Sequence, residues 1–272
     1  MQRESKRMVS YSKNVEQLFN YSLEELKSKV LHEPFQYIVA DNIFTEDVFK
    51  QLYDFKLSEH RIIKCKDGVK KQKGRVAWLN DSSIGTNYMI GGGGEGFNSF
   101  KPFIKTDQQA DIFKQLNNSI PFWCDLFGIT PKDDYQIGYK YSLYSNNYGW
   151  NVHPDSPRKV VSLLFFLDNT GWEDSSKYNG TQLYCVGDEY KGVADIELDN
   201  HKNISKRSNV RPEHIDQLKF YRNVHYKPNR MLAFLNGYTS YHGISPMRLS
   251  ANTFRPCFQV NIWRRNKTRY QE

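Results

Sequence analysis

Apolar and polar positions fall into two regimes along this chain. In the first half the apolar residues recur at helical spacing. Val15-Glu-Gln-Leu-Phe19 and Leu23-Glu-Glu-Leu-Lys27 predict one or two short amphipathic helices, with Ser22 and Glu25 placed as a capping box. Gln36 to Ile43 reads as a strand, and the segment from Thr45 to Phe55 as a helix capped by Thr45 and apolar at Val48, Leu52 and Phe55. Asp107 to Phe127 predicts a helix whose stripe of Ile112, Phe113, Leu116 and Ile120 lies against a sheet, interrupted or kinked at Pro121. From Tyr135 the pattern changes to short apolar or alternating runs bounded by turn residues. These predict strands over Gln136 to Tyr144, Trp150 to His153, Lys159 to Asp168, Thr181 to Val186, Asn229 to Leu235, His242 to Ile244 and Phe254 to Trp263. Many strands after a few helices point to an α+β fold, with helices buttressing one side of a closed or sandwiched sheet.

The candidate chemistry sits at the entrance to the most apolar of these runs. In an extended segment residues i and i+2 face the same way, so His153 and Asp155 can aim an imidazole and a carboxylate at one point. His242, in Gly237-Tyr-Thr-Ser-Tyr-His-Gly-Ile-Ser-Pro246, is the best third ligand. Two histidines and one carboxylate form the facial triad of non-haem Fe(II) oxygenases, which leaves positions open for a co-substrate and dioxygen. The spacing alone proves little, because seven His and thirty acidic residues yield about one His-x-Asp/Glu by chance. Its setting ahead of the strand Lys159-Val-Val-Ser-Leu-Leu-Phe-Phe-Leu167 gives it weight. His201, His214 and His225 lack both the paired spacing and the strand setting.

The succession His-x-Asp, apolar strand, Gly180-Thr-Gln-Leu183, Pro228 with Phe234, His242 and Arg255 resembles the 2-oxoglutarate- and Fe(II)-dependent dioxygenases, closest to their prolyl 4-hydroxylase branch. The likeness covers about Tyr135 to Trp263, with a looser echo in Pro34 to Phe44. It implies a double-stranded β-helix, or jelly-roll, core with supporting N-terminal helices. A helical extension over 1–33 would precede a single dioxygenase domain over 34–272. The core would span about 135–263 and carry a polar insertion at about 187–228. Carried over by position, His153, Asp155 and His242 would bind iron, Arg255 would pair with the distal carboxylate of 2-oxoglutarate, and Tyr144 would hydrogen-bond the same co-substrate. The branch often supplies a tyrosine where this chain has Phe166, and Tyr144 or Thr181 is the candidate replacement. Arg248 lies between His242 and Arg255, but in a Ser/Asn/Thr-containing loop, whereas Arg255 opens a strand pattern. Trp150 either lines the substrate side or packs in the core, and Tyr139, Tyr141 and Tyr148 share those alternatives.

The reaction so implied is hydroxylation of a C–H bond, first of all in a peptidyl proline, using Fe(II), 2-oxoglutarate and O2, with ascorbate as a reductant and succinate and CO2 as products. The rival readings are a cupin-like binding module without redox chemistry, and an oxygenase acting on nucleic acid or a free amino acid. Arg255 discriminates, since a binding module has no need of an arginine anchor beyond its last ligand histidine.

Composition narrows the remaining choices. Aromatic residues make up 15% of the sequence, enough for a core although overall hydrophobic content is only 39%. The four cysteines, Cys65, Cys124, Cys185 and Cys257, form no Cys-x-x-Cys, which argues against a zinc site or a disulfide framework and for reduced thiols. No long apolar segment and no apolar core behind the charged Met1-to-Arg7 start are present, so neither a membrane span nor a secretory signal is expected, and a cytoplasmic location is. The net charge of +8 is densest over Arg61 to Arg75, a solvated loop or a basic flap over an acidic peptide or nucleic acid. Without interleaved aromatics it does not favour nucleic acid over a peptide or protein substrate. A nucleic-acid demethylase would show steeply salt-dependent binding. The cluster Arg264 to Arg269 reads as a frayed tail, and the Gly91-to-Gly96 run, with no Gly-Lys-Ser/Thr behind it, as a surface loop.

Overall fold

The structure is a computed structural model that describes residues 15–54, 77–82, 85–91, 104–144, 149–156, 158–167, 180–187, 210, 212–244 and 255–265. The basic segment 61–75, residues 92–96 of the glycine run, Tyr148, Arg248 and residues 266–269 lie outside them. In chain order the elements are α1 (Leu23–Lys27), β1 (Tyr37–Ala40), α2 (Glu46–Asp54), β2 (Ala77–Ser82), β3 (Gly85–Gly91), α3 (Asp107–Asn117) and α4 (Ile120–Leu126). There follow β4 (Tyr135–Tyr144), β5 (Trp150–His153), β6 (Lys159–Phe166), β7 (Thr181–Val186), a 3-10 turn (Pro212–Gln217), β8 (Leu218–Val224), β9 (Arg230–Leu235), β10 (His242–Ile244) and β11 (Arg255–Arg264).

The strands form two antiparallel sheets. One has seven strands in the order β1-β9-β6-β11-β4-β3-β2, and the other has four in the order β5-β10-β7-β8. Alternation along the central strands sorts side chains to two faces. From β4, β6 and β11, Tyr139, Tyr141, Leu163, Phe165, Phe258 and Val260 join Ile112, Phe113 and Leu116 of α3 and Trp123 of α4 in one core. The opposite face sends Tyr144, Leu164, Phe166 and Cys257 into a second core shared with Leu183 of β7 and Val224 of β8. The result is a β-sandwich with helices on the outer face of the larger sheet. With β6 covered on both sides, its continuous apolar run is accounted for. Each large apolar side chain fully buried here contributes about 1.5–3 kcal/mol.

The N-terminal residues join the same outer core through Val15, Leu18, Phe19, Leu23 and Leu26, and Phe19 packs on Phe44 and Trp123. The capping box of α1 is present, Ser22 and Glu25 bonding reciprocally. The single helix expected over Asp107 to Phe127 is instead two. α3 ends at Asn117, and Pro121 sits in the first turn of α4, where its missing N–H costs nothing. The sequence patterns above predict none of β2, β3 and β8. β8 is exposed or half-buried over most of its length, as an edge strand paired on one side with β7. Among the described residues, no helix is long and apolar enough to cross a membrane.

Candidate metal centre

The antiparallel pairing of β5 with β10 sets His153 directly opposite His242, with ring centroids 4.6 Å apart. Gly243 makes this close approach possible, since a Cβ there would stand 3.0 Å from the Trp150 carbonyl oxygen. Asp155 follows β5 in an irregular segment just past the strand end. The ligand atoms of His153, Asp155 and His242 all lie within 4.8 Å of one another. Donors about 2.1 Å from a shared ion lie at most about 4.2 Å apart, so the three need to draw in only slightly to hold one.

His242 and Asp155 are oriented from behind. His242 Nδ1 is 3.0 Å from the Ser240 carbonyl oxygen, a bond in which Nδ1 carries the proton and leaves Nε2 its lone pair. Burial holds His242 below the ordinary histidine range against the pull of Asp155, which favours the neutral, ligating form. The Asp155 carboxylate accepts from Lys159 Nζ (2.7 Å) and from Ser162 Oγ (2.6 Å), and the Asn236 amide, its nitrogen toward the carboxylate, donates to Asp155 Oδ2 (3.2 Å) and accepts from the Ser162 N–H (3.2 Å). Burial alone would push Asp155 up. The Lys159 charge and hydrogen bond, together with His242 and His153, outweigh it, and the carboxyl stays well below the usual carboxylate range. An ionised carboxylate beside two imidazoles is a donor set that suits a divalent metal ion.

These three side chains open into one cavity of about 110 Å³, which Tyr144, Trp150, Thr181 and Arg255 also line. Arg255 is fully buried at the start of β11, paired with Tyr144 of β4. Its Nη2 donates to Thr181 Oγ1 (3.2 Å), and its guanidinium lies over the rings of Phe166 (4.9 Å), Tyr226 (5.2 Å) and Tyr144 (5.6 Å). Gly180 fixes the position of Thr181, because a Cβ there would meet the Asn223 side chain and the Val224 carbonyl oxygen of β8 at 2.2 and 2.4 Å. Burial raises the Tyr144 phenol above the usual tyrosine range, so it is a donor at neutral pH.

The structure therefore brings together His153, Asp155, His242, Arg255, Tyr144, Thr181 and Trp150, all expected from the sequence to belong to one site. Tyr139 and Tyr141 are in the helix-side core instead. His214 bonds the Tyr241 hydroxyl (2.8 Å), away from the cavity lining. Sequence reasoning missed Tyr226, whose ring stacks on Phe166 (4.8 Å) and whose hydroxyl donates to the Pro256 carbonyl oxygen (2.7 Å). With that hydroxyl committed, Thr181 provides the polar contact to Arg255 at this end of the cavity. Lys140, Lys159, Ser162 and Gln259 of the lining were also missed. The signal was polar residues at inward positions of otherwise apolar strands.

No family model matches the chain, and no curated protein matches it. Solved structures similar to it include the following three. The prolyl-4-hydroxylase of Pseudomonas putida is 12% identical at a TM-score of 0.47, covering 90% of this chain and 99% of its own. AviO1 from Streptomyces viridochromogenes Tue57 is 11% identical at a TM-score of 0.48, covering 86% and 91%. HygX from Streptomyces hygroscopicus, solved with nickel and 2-oxoglutarate bound, is 10% identical at a TM-score of 0.43, covering 86% and 85%. At these values the likenesses decide neither the chemistry nor the substrate of this chain.

Proposed function

We propose that the protein is an Fe(II)- and 2-oxoglutarate-dependent dioxygenase that hydroxylates a C–H bond, built on a double-stranded β-helix core. The observation that supports it best is a two-histidine, one-carboxylate set and a buried arginine lining the same small cavity. His153, Asp155 and His242 would hold the iron, with Lys159 and Ser162 keeping Asp155 ionised and aimed. Arg255 would receive the distal carboxylate of 2-oxoglutarate in a charge-assisted, forked pair, oriented by Thr181 and walled by three aromatic rings. Tyr144 would donate a hydrogen bond to the same co-substrate. Bound iron would supply the oxidative chemistry, coupling decarboxylation of 2-oxoglutarate by O2 to hydroxylation, with ascorbate restoring the reduced metal. The chain's own work is to position the partners and keep water from the reacting centre. A peptidyl proline is the substrate that the sequence resemblance points to, in one domain comprising the core and its helical N-terminal extension.

The test is Fe(II)-dependent release of succinate from 2-oxoglutarate, measured without added substrate and with a proline-rich peptide panel. Turnover that disappears in His153→Ala supports the oxygenase. No turnover, together with no 2-oxoglutarate binding by the iron-loaded protein, would hand the site to the binding-module reading.

A further inference from the structure

Positive charge in the cavity exceeds what the metal site and the co-substrate can use. Among the described lining residues, three cations, Lys140, Lys159 and Arg255, accompany one carboxylate, Asp155. Arg255 is assigned to the co-substrate, and Lys159 is bonded to Asp155 (2.7 Å). With a divalent ion and 2-oxoglutarate bound, five positive charges would face three negative ones, and Lys140 is the cation of the lining to which neither the metal site nor the co-substrate assigns a partner. Lys140 lies on the inward face of β4, opposite Gln259 of β11, four register positions from the Tyr144–Arg255 pair. Its ammonium sits 5.3 Å from the centre of the Trp150 ring, and that ring is 5.7 Å from His153. Among the described residues this ammonium makes no hydrogen bond and no ion pair. Lys140 raises the cost of the Lys159 charge, and burial holds Lys140 itself below the ordinary lysine range despite the pull of Asp155. A half-buried cation facing a cavity, with an aromatic face and an amide beside it, is a costly arrangement unless an anion shares it.

We propose that Lys140, with Gln259 and Trp150, forms a subsite for a carboxylate or other anionic group of the substrate, at the end of the cavity away from Arg255. The inference rests on the dioxygenase reading and specifies its substrate class. A neutral prolyl residue alone does not satisfy this subsite, whereas a prolyl peptide with an acidic neighbour, or a free acid, does. Trp150 supplies a flat wall for the carbon skeleton beside the charge, and Gln259 a second donor for the carboxylate.

The experiment uses the full chain loaded with nickel and saturated with 2-oxoglutarate, titrated calorimetrically at constant ionic strength with sodium acetate and, separately, with acetamide. Acetate should bind and acetamide should not, and Lys140→Gln should weaken acetate at least about tenfold, the loss expected for a hydrogen bond to a charged group. Equal binding of the two probes, or acetate binding that survives Lys140→Gln, would overturn the proposal. So would a Lys140→Gln protein whose lost affinity is for 2-oxoglutarate, since Lys140 would then serve the co-substrate. A protein that takes up metal but no 2-oxoglutarate fails before acetate is added, and what fails there is the dioxygenase reading. N-acetylglutamate and a glutamate-bearing prolyl peptide, each against its amide counterpart in the succinate assay, then separate a free acid from an acidic peptide as the source of the anion.

Discussion

Arg255→Met is the sharpest probe of the co-substrate end of the cavity. The substitution keeps an unbranched side chain of comparable length between Tyr144, Phe166 and Tyr226, so the packing around a fully buried position is largely retained. What it removes is the charge and the donor fork. A hydrogen-bonded charge pair in a desolvated site loses about 2–5 kcal/mol when one partner is truncated. By the relation of tenfold per 1.4 kcal/mol, 2-oxoglutarate affinity should fall roughly 30- to 4,000-fold. The metal should be held as before, because Arg255 is not among the three clustered ligands. Calorimetric titration of the metal-loaded protein with 2-oxoglutarate, beside a metal titration of the same variant, reads both quantities. Thr181→Val, which removes only the acceptor of the 3.2 Å bond from Arg255, should cost about 1–3 kcal/mol of the same affinity. Wild-type affinity in Arg255→Met would refute the assignment, and a parallel loss of metal would show that the substitution had disturbed the centre as a whole.

Other expectations concern the supports of the site and of the fold. Ser162→Ala removes the 2.6 Å donor to Asp155 and should lower metal affinity about 10- to 100-fold at unchanged thermal stability of the apo protein; unaltered metal binding would show that Lys159 and Asn236 hold the carboxylate without it. Gly180→Ala forces a Cβ against β8 and should destabilise the protein by about 1–3 kcal/mol in urea unfolding, with no loss expected if β7 and β8 can part freely. Asp41, gripped by Arg230 and Lys227, has its carboxyl lowered to about 2, the Arg230 hydrogen bonds being the main cause. A lowered folded-state value means that the contribution is present above the unfolded value near 4 and fades as pH falls toward 2. Because the carboxylate is about a third exposed, the contribution is discounted to roughly 1 kcal/mol. The stability gap between wild type and Asp41→Asn should therefore be present at pH 6 and close by pH 2, and a gap independent of pH would refute it.

Much of this protein can be read along one dimension. The His153-Pro-Asp155 spacing, the run from Lys159 to Phe166 and the helix stripe of α3 are local patterns, set by side-chain period and by the type of residue a ligand must be. Strand limits for β5, β7 and β10 follow from turn residues on either side. Tertiary structure decided what depends on register. Only the pairing of β5 with β10 sets His242 across from His153, and only the pairing of β11 with β4 sets Arg255 beside Tyr144 and Lys140 beside Gln259. β8 and Tyr226 escaped notice for the same reason. Their places are fixed by neighbours distant in sequence, β7 for the one and Phe166 for the other, and no periodicity within a segment encodes which distant surface will cover it.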